Sequence, residues 1–110
     1  MDWLEPWIPI SDLDWPRDKK KEYSRAWESQ LRREVGRAHV LFGEDAVLIA
    51  RRFDCDDALF QLSDGRIADV HLTWSKGPEP NPLWPNTQVY ESLDDWKNAV
   101  MVPAHNDWEP

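Results

Sequence analysis

Asp69, His71 and Thr73 stand at alternate positions of one segment, and residues two apart on a β-strand share a face. An imidazole beside a carboxylate is an acid/base unit, because the carboxylate orients the ring and stabilises its protonated form. Trp84, on a proline-rich stretch that follows, could close over such a pair. Together Asp69, His71, Thr73 and Trp84 make one candidate ligand site. No serine in a nucleophile-elbow context accompanies it, and the chain has no glycine-rich phosphate loop.

A second group is acidic. Asp54, Asp56 and Asp57 surround Cys55, and Glu44 and Asp45 precede them by about ten positions. The run lacks the central glycine and terminal glutamate of a calcium loop, so it reads as a turn carrying solvated carboxylates. The aspartates beside Cys55 favour its neutral thiol and make it a poor nucleophile. His39, His71 and His105 are far apart in the chain with no paired ligand motif near any of them. No catalytic residue, metal or cofactor is expected. The five carboxylates Glu44, Asp45, Asp54, Asp56 and Asp57 are instead the second candidate site, a surface for a basic partner.

The elements that must position these residues follow from hydrophobic spacing. Tyr23, Trp27, Leu31 and Val35 recur every four positions, which predicts one amphipathic helix over about 15–35. Asp14 is its expected N-cap, Pro16 lies in its first turn, and Gly36 is its expected C-cap. The apolar and β-branched runs at 46–53, 58–62 and 66–74 read as strands, with a short fourth at 87–90. Ser63-Asp64-Gly65 separates the second and third runs. A three-residue loop with Gly65 in the left-handed region would pair Phe60 with Ala68. Ala58, Phe60, Leu62, Ala68, Val70, Leu72 and Trp74 then face the helix. Leu59, Gln61, Ile67, Asp69, His71 and Thr73 form a mixed opposite face, open to solvent or to a second copy.

Residues 75–86 hold four prolines around Trp84 and predict an extended excursion. Ser92-Leu93-Asp94-Asp95 has capping-box spacing and opens a short helix from Leu93 to about Met101, ended by Pro103. At the other end, Trp3, Trp7, Ile8, Ile10 and Leu13 alternate with Pro6 and Pro9, which predicts an extended arm over 1–13 docked on the body. The tail 104–110 is expected to fray. The fold expectation is therefore a single α+β domain over 1–110. In it a long N-terminal helix packs on a small antiparallel β-meander of three to four strands, with a short C-terminal helix.

Composition narrows the function. The chain has 110 residues, 21 acidic and 13 basic side chains, a formal net charge of −8, and eight tryptophans. A negative mean field repels phosphate backbones and anionic headgroups, which argues against nucleic acid and membrane partners, and it attracts basic proteins. A single cysteine, no basic leader and no long apolar run fit a cytoplasmic protein.

The segments Arg51 to Phe60, Asp64-Gly65-Arg66, Val70-His71-Leu72-Thr73-Trp74-Ser75 and Pro82-Leu83-Trp84-Pro85 resemble a group of small bacterial proteins of unassigned function. The likeness spans Leu31 to Trp96, and Val70 to Trp74 is its most specific part. It implies a bacterial origin and a shared compact fold, and it carries no catalytic residue over. The residues themselves point first to an acidic intracellular antagonist, such as the immunity protein of a bacterial toxin, that neutralises a basic partner. The alternative is a small enzyme or ligand-binding domain using Asp69 and His71.

Overall fold

Gly65 sets the register of the central hairpin. In a computed structural model of the chain, which describes residues 2–108, its φ is 92°, a conformation that residues with a Cβ rarely adopt. Its N–H donates to Leu62 O at 3.0 Å, and Leu62 N–H donates to Arg66 O at 2.9 Å. This closes the three-residue loop and pairs Phe60 with Ala68. The flanking strands are β3 (Asp57–Leu62) and β4 (Ile67–His71).

Around this hairpin lie β1 (Trp7–Pro9), β2 (Ala46–Arg52) and β5 (Asn86–Tyr90), giving one antiparallel sheet in the order β1-β2-β3-β4-β5. It has five strands rather than three to four. The extra one is the segment read as an arm: Trp7 pairs with Arg52 and Pro9 with Ala50. Pro9 is tolerated there because an edge strand needs ladder hydrogen bonds on one side only. A 3-10 turn, Ile10–Asp12, leads from β1 towards the long helix α1 (Arg17–Glu34). Pro16 holds the N-cap position of α1 without a side-chain cap, and the C-cap is Val35, not Gly36. Gly36 serves a close approach instead, since a Cβ there would sit 3.3 Å from Glu79 O.

Trp27 and Leu31 of α1, with Val35 at its C-cap, cover Ala58, Phe60, Leu62, Ala68, Val70 and Leu72, the sheet face that Gly65 selects. A bulge between Leu48 and Ala50 reverses the phase of β2, as an extra unpaired residue must. Leu48 therefore joins the α1 core, whereas Ala50, two positions on, joins the other side.

That other side is not an open mixed surface. Leu59, Ile67 and Ala50 lie under Trp7, Trp96 and Met101, a second buried cluster, so the face is closed to a second copy. It is covered by a helical run longer than expected: α2 (Leu93–Trp96), a π turn (Lys97–Met101) and α3 (Val102–Asn106). Ser92 Oγ accepts Asp95 N–H at 3.1 Å and caps α2. Pro103 does not end the run. It occupies the first turn of α3, where a missing N–H costs least. The tail is also held, since His105 Nδ1 donates to Glu5 O at 2.8 Å and Trp108 Nε1 to Glu5 Oε2 at 3.3 Å; of the segment expected to fray, residues 109–110 lie outside those described.

Trp74 leaves the predicted third strand because β4 stops at His71. At Trp74 the backbone has φ 60°, which breaks the two-residue alternation. The ring still packs edge-on against Trp27, centroids 4.8 Å apart, but stays 46% exposed.

Candidate functional site

The five acidic residues do not form one patch. Glu44 and Asp45 precede β2, and Asp54, Asp56 and Asp57 follow it. A seven-residue strand separates the two groups by about 20 Å. Three of the five are engaged by neighbouring side chains. Asp54 takes a two-pronged bond from Arg52 (2.8 and 3.1 Å), which holds its carboxyl below the usual range. Asp57 Oδ1 accepts from His71 Nδ1 at 2.6 Å, and Glu44 lies 3.3 Å from Arg66. Asp45, Asp54 and Asp56 are exposed.

The hairpin that carries Asp54 and Asp56 is anchored by Arg51, which no motif in the sequence marks. Arg51 is buried, with its guanidinium 3.7 Å from the Trp27 ring centroid. It donates to Asp57 O and Cys55 O, and to Tyr23 Oη at 2.6 Å. Burial pushes the Cys55 thiol up, in keeping with an unreactive cysteine.

The second candidate site comes apart. Asp69 does not orient His71: its Oδ2 accepts from Trp96 Nε1 at 3.0 Å beneath α2, and His71 pairs across the sheet with Asp57. Thr73 turns the other way. Its N–H and Oγ1 donate to Glu34 Oε1 at 2.7 and 2.9 Å. Trp84 lies in the loop before β5, and the hollow beside that loop is lined by Ala38, His39, Val40, Pro82, Leu83, Thr87 and Val89, without His71 or Asp69. Among the described residues no three His, Cys, Asp or Glu side chains converge as a metal site.

Glu34 explains where Thr73 goes. It is fully buried at the end of α1, accepts Thr73 N–H, Trp74 N–H (2.8 Å) and Gln30 Nε2 (2.7 Å) through its carboxylate, and its carbonyl accepts Glu79 N–H at 3.0 Å. One side chain thus pins the start of the proline-rich excursion to the helix.

His39 pins the end of the same excursion. It is buried, its Nδ1 accepts Leu41 N–H at 3.0 Å, and its Nε2 is 2.8 Å from Pro85 O. An acceptor at Nδ1 leaves the proton on Nε2, so the ring donates to Pro85 O. Thr87 Oγ1 donates to the same carbonyl at 2.9 Å. This strut ties the loop at 38–43 to the loop at 82–85 and holds large apolar side chains in water. Val40 is 63% exposed, Phe42 54%, Leu83 75% and Trp84 43%. Between the loops lies the hollow of about 530 Å³. A second, of about 280 Å³, lies beyond Phe42 among Leu31, Arg32, Val35, Glu44 and Asp45. This paired-loop surface is the candidate functional site. Of its residues, Trp84, Glu44 and Asp45 are candidates from the sequence alone.

Comparisons with protein-family models, with curated proteins and with solved structures return no match. No helix among the described residues is long and apolar enough to cross a membrane.

Proposed function

We propose that the protein is an acidic protein-binding antagonist, acting inside the cell in the manner of a toxin-immunity protein, and that it grips a basic partner through the paired apolar loops. The observation that carries this reading is the exposure of Val40 and Leu83 on two loops tied together by His39. A folding chain gains nothing by holding such side chains in water, whereas a partner that covers them gains their burial. The His39 strut adds preorganisation, which lowers the entropy lost on association. A net charge of −8 would steer a basic partner into place. Glu44 and Asp45 sit beside the apolar surface, while Asp54, Asp56 and Asp57 contribute to the long-range field.

The test is capture of partners from a lysate of the producing cell by the wild-type chain and by Leu83→Asp and Val40→Asp. The expected result is a defined basic protein retained by the wild type, lost in both variants, and held less well as salt rises. Identical capture by wild type and variants, or capture that salt does not weaken, overturns the reading.

A further inference from the structure

The two edges of the sheet differ. β1 is three residues long, contains Pro9 and follows Pro6, and shortness and proline are the usual protections of an edge. β5, Asn-Thr-Gln-Val-Tyr over 86–90, has neither proline nor charge, and among the described residues its outer edge meets no strand.

The ladder fixes which β5 amides face outward. Leu62 bonds to Arg66 across the hairpin, so even-numbered residues of β4 direct their N–H and C=O towards β3 and odd-numbered ones towards β5. Asp69 and His71 oppose Gln88 and Asn86, and Ile67 opposes Tyr90. Those three β5 residues are hydrogen-bonded inward, which leaves the N–H and C=O of Thr87 and Val89 directed away from the sheet. Thr87 and Val89 also line the hollow of about 530 Å³ with Val40 and Leu83. Open backbone groups and an apolar receptacle therefore coincide on the same two residues.

Resting on the binding reading above, we infer that β5 receives an extended, basic segment of the partner as a sixth strand, with alternate apolar side chains of that segment entering the hollow beside Val40 and Leu83. Backbone pairing supplies affinity in such an arrangement and the alternating pockets supply selectivity. Charge selects the occupant. Glu91, Asp94 and Asp95 follow β5 directly and are exposed, while Arg66, which precedes the residue opposite Tyr90, is held by Asp64 at 2.7 Å and by Glu44. Lysine or arginine beside the apolar positions meets that end of the strand favourably. A second copy would bring its own net charge of −8 to the same edge and be repelled.

The probe is a random decapeptide library displayed on phage and panned against the full chain, with amide hydrogen exchange on the best selected peptide. Expected are sequences of alternating apolar residues with lysine or arginine, and exchange at Thr87 and Val89 slowed about tenfold or more on binding. Val89→Pro removes one outward N–H and should abolish peptide binding; should that variant not fold, the wild-type exchange result decides alone. Selected peptides that protect other amides, or that are acidic, overturn strand addition, as does concentration-dependent protection of Thr87 and Val89 without peptide, which would mark a self-dimer. Peptides that lose binding to Leu83→Asp yet leave Thr87 and Val89 open would defeat strand addition while leaving the apolar-surface reading standing. An empty selection overturns the strand inference, and the lysate experiment then judges the binding reading separately.

Discussion

Asp69 lies where the second face of the sheet passes under Trp96. Burial pushes its carboxyl up to about 6, although the Trp96 N–H favours the ionised form; the charge of Asp57 adds to the rise. Because the folded-state value lies above the unfolded one, the native state binds more protons between roughly pH 4 and 6. The contribution of Asp69 to stability is thus complete below about pH 4 and lost as pH rises through 6. A rise of this size corresponds to about 3 kcal/mol between the two protonation states. Asp69→Asn keeps an acceptor for Trp96 and removes the charge. It should therefore be more stable than wild type at pH 7.5, by up to about 2–3 kcal/mol, and gain nothing near pH 4. Denaturant unfolding at the two pH values measures this, and an equal difference at both would refute the assignment. Little of this was legible beforehand. A half-buried aspartate and a solvated one look alike in a strand pattern, and the residue that buries Asp69, Trp96, is far along the chain.

At the scale of elements, Glu34 joins α1 to the segment after β4. Glu34→Ala leaves two backbone N–H groups and the Gln30 amide without their acceptor, at a cost of about 3 kcal/mol or more. Amide exchange should localise the damage: Thr73 and Trp74 lose protection first, while Phe60 and Ala68 retain theirs. Uniform loss across the sheet would mean that Glu34 does not act through this junction. Where a local signal existed, the elements could be read. Gly65 announced the bulged loop and with it the Phe60–Ala68 register and the face that α1 covers. The junction had no such signal, because Glu34 falls between charged neighbours on an amphipathic helix and its partners are about forty residues away. The C-terminal helical run was underestimated because Pro103 resembles a stop. A proline breaks a helix only where it interrupts established hydrogen bonds, and the π turn before it begins the pattern anew.

For the molecule as a whole, the sheet is a central layer with a core on each side, and the second core is built from the two chain ends. Trp7 meets Trp96 edge-on at 4.9 Å and Trp3 packs on it at 5.7 Å. A chain truncated before Leu93 should therefore keep its α1 core yet expose Ala50, Leu59, Ile67 and Trp7. Dye binding to exposed apolar surface and a broadened, weakly cooperative thermal transition are expected; a sharp transition like that of the full chain would show the second core to be dispensable. The same arrangement bears on proteolysis. Residues 93–106 are the lid of one apolar side, so a protease that nicks them should leave a species that clumps, whereas a nick in the proline-rich segment at 75–84 leaves that lid in place.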